Sequence, residues 1–396
     1  MDSLILYLEI NNLNYVFFVG ERDEQNNLKI IYKSEVNLQG IENNRISDLE
    51  IIYSLLQKNI FIIEKKFNHT FKEIVLILDN FNPEFINISG FKKLNGTQIL
   101  RENITYILNN LKSYVNMIES KKTILHIFNS KFYLDNKKID NLPIGLFGDF
   151  YSHELSFTLL NSNEYKNLKN IFDKCGLKVK KILSKSYIKG AHINEQNKNF
   201  ETFFHIKISE NESKIFYFEN NSLKSEQNFQ FGTNIIVKDI SKITSLKTES
   251  VKLILREIEF KGEILENELI DEKFFEGKSN RKIKKKLIYD IALARVLEIL
   301  EIFIFKNINF KYYSNISKNI SLEIDEGIEL KGLNQIFKTI FSKNGDFVLN
   351  LNNDLSNENL LNTANKLVHF GWKKEVIPTS ETKKSLIGRL FEAIFN

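Results

Sequence analysis

The residues that could do chemistry are few and scattered. Six histidines (His69, His126, His153, His192, His205 and His369) lie far apart, with no His-Glu-x-x-His pair, and Cys175 is the single cysteine. Neither a zinc site nor a disulfide framework is encoded by such a set, and one thiol fits a reducing cytoplasm. His153 and His205 fall in strand-like runs, where a hydrogen-bonded structural imidazole is the ordinary reading. Asp325 and Glu326 pair two carboxylates, but neighbours on a turn point apart. The chain has no Gly-x-x-x-x-Gly-Lys and no Gly-x-Gly-x-x-Gly, the loops that bring backbone amides against phosphate. These absences argue against an enzyme.

The last dozen residues carry a clearer signal. At 100° per residue, Leu386, Ile387, Leu390, Phe391, Ile394 and Phe395 share one half of a helical wheel, and Ser385, Gly388, Arg389, Glu392 and Asn396 take the other. Residues 372–384 before them read as a solvated, flexible tether with Lys383 and Lys384 at the helix entrance. A short tethered helix with two phenylalanines and basic flanks suits a membrane interface, and is too short to span a bilayer. The bland alternative is a terminal helix docked on its own domain.

Elements able to position a site are legible behind these residues. The 396 residues, 42% apolar and 27% charged, suffice for two to three domains with real cores. A net charge of +5 is too mild to demand nucleic acid. No basic region followed by a long apolar run opens the chain, so no secretory signal is expected. Strands are expected at Leu4–Ile10, Tyr15–Val19 and Leu28–Tyr32, then a helix over Ile46–Lys66 and a buried strand at Ile74–Leu78. The order recurs with strands at Phe203–Ile208, Lys214–Phe218 and Ser225–Phe231, a helix, and a buried strand at Ile320–Ile324. Such recurrence predicts a duplicated α/β fold. Between the halves, residues 86–160 have their own strand, helix (Gln98–Ile118), strand pattern, and a long helix is expected over Lys282–Phe305.

Several segments now fall in a known order. Gly40–Glu50 supplies glycine-isoleucine and an acid at a helix start, and Leu142-Pro-Ile-Gly-Leu-Phe-Gly148 precedes the strand His153–Leu160. Ile171–Val179 carries Cys-Gly-Leu before a strand, Phe231–Ile240 carries Phe-Gly-Thr-Asn-Ile-Ile, and Ala294–Glu301 reads Ala-Arg-Val-Leu-Glu-Ile-Leu-Glu. With Asn357–Gly371 and the amphipathic tail, the chain resembles the FtsA family of actin-like bacterial cell-division proteins over nearly its whole length. The resemblance implies an actin-like α/β fold with subdomain 1A at 1–84 and 162–190, and an inserted subdomain 1C at 85–161. It implies 2A at 191–236 and 311–371, 2B at 237–310, the tether at 372–384 and a membrane-targeting helix at 385–396.

The departure from the family lies at the nucleotide. The resemblance places ATP phosphates at two glycine-rich hairpin turns, whose missing Cβ atoms let amides approach. Here the first turn reads Glu9-Ile10-Asn11-Asn12-Leu13-Asn14, and the second Lys207-Ile208-Ser209-Glu210-Asn211-Glu212-Ser213-Lys214. Lysines stand at the two metal-organising aspartate positions, and Glu210 and Glu212 add negative charge. A like-charge contact at 4 Å costs roughly 4 kcal/mol at an effective dielectric of 20. The adenosine-side glycines align on Asp325-Glu326-Gly327, and Gly232 opens the helix after the second half's hairpin. The expected degenerate cleft is thus Asn11, Asn12, Leu13, Ser209, Glu210, Asn211, Gly232 and Gly327, with no catalytic residue, no metal, and no cofactor expected, ATP binding being disfavoured.

The resemblance further implies partners: the C-terminal peptide of FtsZ beside the helix carrying Lys286 and Arg295, membrane lipids through the tail including Arg389, self-association, and later division proteins through subdomain 1C. The location implied is the cytoplasmic face of the inner membrane at the septum. The rival reading is a PilM-like actin-fold adaptor of a pilus or secretion machine, expected to lack the long tether and tail. A sugar kinase of the same superfamily would need phosphate glycines and a catalytic acid that this chain lacks.

Overall fold

The computed structural model describes residues 4–24, 27–79, 81–197, 199–258, 267–275, 282–324, 333–351, 354–371 and Glu375. They fall into two compact units. One takes the described residues of Met1–Glu201, Phe218–Ser225 and Asp354–Asn396, and the other those of Thr202–Tyr217 and Glu226–Asn353.

The first unit opens with β1 (Leu4–Ile10), β2 (Asn14–Arg22) and β3 (Leu28–Asn37), then a two-stranded ribbon of β4 (Ile41–Glu42) and β5 (Arg45–Ile46), α1 (Leu49–Phe67) and β6 (Glu73–Leu78). The ribbon is why α1 starts three residues later than periodicity predicts. Asp48 then caps the helix, its carboxylate accepting from the amides of Glu50 and Ile51, both at 3.0 Å. Ile52, Leu56, Ile60 and Ile63 form the buried stripe of α1. A separate four-stranded sheet follows, from β7 (Glu84–Lys93), α2 (Arg101–Ile118), β8 (Lys122–Leu134), β9 (Lys137–Ile139) and β10 (Phe150–Asn161), in the order β7-β10-β8-β9. The Ile104, Ile107, Leu108, Leu111 and Val115 face of α2 is buried in this sheet's core.

The chain continues through α3 (Ser162–Lys174), β11 (Lys178–Ser184) and α4 (Lys185–Gln196). Strand β11 completes a five-stranded sheet in the order β11-β6-β1-β2-β3, with β1, β6 and β11 parallel. The nearly continuous apolar run of β6 fits a strand buried on both faces. The Ser184 hydroxyl accepts from the Tyr187 amide at 3.2 Å and starts α4, which places Lys185 at the carboxyl end of β11.

In the second unit β12 (Phe203–Ile208), β13 (Ser213–Glu219) and β14 (Ser222–Phe229) precede α5 (Asn234–Thr244), α6 (Thr248–Glu257), α7 (Lys285–Leu300), α8 (Ile308–Ser314), β15 (Asn319–Ile324), α9 (Leu333–Lys343) and β16 (Val348–Asn350). The sheet order β14-β13-β12-β15-β16 repeats that of the first sheet, with β12, β15 and β16 parallel. Helix α7 begins at Lys285 rather than Lys282, because Ile283 accepts from the Ile270 amide in an extended pairing. Its expected last turn, Glu301–Phe305, winds as a π-helix. The tip of the β13–β14 hairpin, Phe218–Ser225, belongs to the first unit. So does α10 (Asn357–His369), which the resemblance assigned to the second half: Asn365 accepts from the Tyr7 hydroxyl, and Asn362 from the Leu28 amide.

Candidate functional site

In an open sheet with parallel strands, ligands meet the carboxyl ends of those strands. In the first unit these are Ile10, Leu78 and Ser184. The turn after β1 is closed by a side chain. Asn11 Oδ1 accepts from the amides of Leu13 at 2.9 Å and Asn14 at 2.8 Å. The Asn11 amide itself donates to Asn14 O at 3.1 Å. The amides of Asn11, Leu13 and Asn14 are therefore satisfied within the turn. Leu13 projects into solvent, 75% exposed.

Behind this turn lies a charge pair that sequence reasoning missed. Lys185 Nζ sits 2.6 Å from Glu9 Oε1 and 3.5 Å from Asp79 Oδ2. Asn11 Nδ2 adds a contact of 3.4 Å to Glu9 Oε1. A carboxylate on β1 and one just past the end of β6 thus share a single ammonium from the start of α4. The signal available in the sequence was positional: a lysine directly after the N-cap serine that ends a buried strand.

The second turn, in the other unit, is also closed by its own chain. The Ser209 amide donates to Glu212 O at 2.9 Å. The start of α5 then reaches back, Thr233 N donating to Ser209 O at 3.0 Å and Asn234 N to Glu210 O at 2.8 Å. Asn234 Nδ2 donates to Asn211 Oδ1 at 2.9 Å. Gly232 is required for this approach, since a Cβ there would lie 2.0 Å from Ser209 O. Glu210 pairs with Lys252 at 2.7 Å, and Lys214 faces Glu212 at 3.7 Å and Glu226 at 3.9 Å. Neither turn uses a left-handed residue, so the tolerance of asparagine for that conformation is not drawn upon.

Arg295 and Lys286 both lie on α7. The Arg295 guanidinium is engaged by Asp239 of α5 and, at 2.8 Å, by Glu298. His153 and His205 are buried in strands as expected, His205 facing Ser321 and Glu323 at 3.0 Å each. Gly327, Asp325 and Glu326 lie outside the described residues, as do Leu386, Ile387, Arg389, Leu390, Phe391, Ile394 and Phe395 of the tail. The expected solvated tether is corrected at one point: Glu375 is 3% exposed, because its carboxylate meets buried donors in the first unit. Among the described residues, no group of three or more His, Cys, Asp or Glu is placed to hold a metal ion, and no helix is long and apolar enough to cross a membrane.

Two sheets of one strand order, each with a closed turn after its central strand, define a duplicated α/β protein of the actin-like class. No protein-family model matches the chain. It is 22% identical over 410 residues to Cell division protein FtsA of Buchnera aphidicola subsp. Schizaphis graminum (strain Sg), covering 100% of this chain and 97% of that protein. It is 18% identical over 302 residues to FtsA of Escherichia coli (strain K12), covering 76% and 71%. The chain is a divergent relative of the FtsA cell-division proteins. Among solved structures it is similar to the PilM-PilN type IV pilus biogenesis complex (9% identity, 94% of this chain and 98% of that one, TM-score 0.49). It is also similar to an AMPPNP-bound MreB5 of Spiroplasma citri (9% identity, 92% and 96%, TM-score 0.44).

Proposed function

We propose that the protein is an FtsA-type division protein that ties FtsZ filaments to the cytoplasmic face of the inner membrane at the septum, without turning over ATP. The observation carrying this reading is the end-to-end similarity to FtsA, which extends over 97% of that relative. The amphipathic pattern of residues 385–396 supports membrane attachment. Six apolar side chains, half-buried at ~1.5–3 kcal/mol each when complete, give about 5–9 kcal/mol. Helix ordering and immobilisation remove several kcal/mol, so one tail is a marginal anchor. Self-association or an FtsZ filament would strengthen it by avidity of ~10²–10⁴.

The loss of nucleotide chemistry is supported by the two turns, in which the amides of Asn11, Leu13, Asn14 and Ser209 and the carbonyls of Ser209 and Glu210 bond to the chain itself, and by Lys185 between Glu9 and Asp79. The protein then couples membrane and filament mechanically, with residues 85–161 receiving later division proteins. An acidic FtsZ tail suits the α7 surface that carries Lys286. Arg295, held by Asp239 and Glu298, keeps α5 and α7 in place beneath such a peptide. The test is fluorescence anisotropy with a synthetic FtsZ C-terminal peptide. Wild-type protein should bind it, and Lys286→Glu should weaken binding about tenfold, one desolvated charge contact being ~1.4 kcal/mol or more. Binding absent from the wild type removes the FtsZ assignment. Unchanged affinity in the variant moves the peptide off α7.

A further inference from the structure

Glu375 is the one carboxylate within residues 371–380, Gly-Trp-Lys-Lys-Glu-Val-Ile-Pro-Thr-Ser. It is buried among three side chains that are themselves buried: His126 of β8, Lys181 of β11 and Tyr187 of α4, at 0%, 2% and 1% exposure. Lys181 Nζ lies 2.9 Å from Glu375 Oε2, and the Tyr187 hydroxyl donates to the same oxygen at 3.2 Å. His126 Nδ1 lies 3.0 Å from Oε1, while its Nε2 accepts from the Ser184 amide at 3.4 Å. An imidazole nitrogen that accepts an amide proton carries none, so Nδ1 bears the hydrogen and donates it to Glu375. Both carboxylate oxygens are thus met by donors, and the remaining Lys181 contact goes to Leu367 O at 3.1 Å. The Phe128 and Glu375 backbones also form an antiparallel bridge.

We infer that His126, Lys181 and Tyr187 form a docking socket for a carboxylate, and that its occupant is the chain's own Glu375, which pins the chain to the first unit at that residue. The socket draws on two sheets of that unit, His126 from the four-stranded sheet and Lys181 from the five-stranded one. A force on the chain at Glu375 is therefore borne by β8, β11 and α4 together, each of which supplies one donor to the carboxylate. A solvated linker would supply no such fixed point, and removing the carboxylate would leave the buried Lys181 side chain without its counter-charge.

Hydrogen exchange followed by mass spectrometry on the full chain tests the socket, with wild type compared to the isosteric Glu375→Gln and to Lys181→Met. Glu375→Gln should raise exchange at least tenfold in peptides covering residues 371–381, with α1 and β12 unchanged. Trypsin should then cut faster after Lys373 and Lys374. Lys181→Met should give a smaller rise in the same peptides, since His126 and Tyr187 remain. Unaltered exchange at 371–381 in Glu375→Gln overturns the inference, because the backbone bridge alone would then hold the segment. Equal acceleration across the whole first unit, or failure of Glu375→Gln to fold, also overturns it, by making Glu375 a core residue rather than a separable dock.

Discussion

Replacing Lys185 by methionine keeps the stem and removes the ammonium that lies 2.6 Å from Glu9 and 3.5 Å from Asp79. At an effective dielectric of ~20 the two contacts correspond to gross attractions of roughly 6 and 5 kcal/mol. Desolvation of the three groups offsets most of that. What remains measurable is the cost of leaving two carboxylates facing one another, about 3–5 kcal/mol for a fully buried pair. The side chains here keep 16%, 9% and 25% of their exposure, so the lower range, about 2–4 kcal/mol, applies. Urea denaturation at pH 7 and low salt should show that loss. A divalent cation should then fill the vacated charge in the variant. A site of ~100 μM affinity at ~1 mM Mn²⁺ restores about 1.4 kcal/mol by mass action. Wild-type stability should not respond to Mn²⁺, since Lys185 holds the position. A loss below about 1 kcal/mol, or an equal Mn²⁺ response in both proteins, would refute the view that the lysine stands where a cation would.

Gly232→Ala should cost about 3–4 kcal/mol, from a Cβ forced against Ser209 O and Glu210 O and the strained bonds from Thr233 and Asn234, and thermal denaturation would measure it. Acid should act in two windows, the first on the stability of the fold and the second on the attachment of the chain at Glu375. His369 is lowered to about 4 by burial and by the Lys180 and Arg22 charges, so the unfolded chain takes up its proton first as pH falls from ~6.5 to 4. His369→Gln should reduce that loss by about 1 kcal/mol, the half-exposed ring being partly screened, as read from denaturation midpoints at pH 7 and 4.5. Burial alone would raise Glu375, but the Lys181 charge and the His126 contact hold it down to about 2, so its contribution persists above the ordinary carboxylate pKa and disappears between roughly pH 4.5 and 2. Glu375→Gln should erase that second window. Phe391→Glu should release the protein from anionic vesicles in flotation, by tenfold or more, since about 2 kcal/mol of burial is lost and a charge of the wrong sign is added. Flotation equal to wild type would favour the helix being docked on its own domain.

The sequence by itself determined the elements, because periodicity is a local property. The alternating and continuous apolar runs at Leu4–Ile10, Ile74–Leu78 and Phe203–Ile208 became strands β1, β6 and β12, and the stripe from Ile52 to Ile63 became the buried face of α1. The repeated order of strands was enough to expect duplication, and two sheets with matching strand order resulted. The absence of glycine at Asn11–Leu13 and Ser209–Asn211 was legible in the sequence, and a Cβ at each position limits what can approach the backbone. How those turns are closed was decided only in three dimensions. Asn11 takes two amides of its own turn, while Ser209 and Glu210 are met by α5, which begins more than twenty residues later. Lys185 meets Glu9 across 176 positions, and Glu375 meets His126 across 249. No spacing rule connects such residues. The Lys185–Glu9 pairing follows from β1, β6 and β11 ending side by side, and both pairings follow from the cost of burying a charge without a partner, which leaves each of these groups beside one of opposite sign or a hydrogen-bond donor.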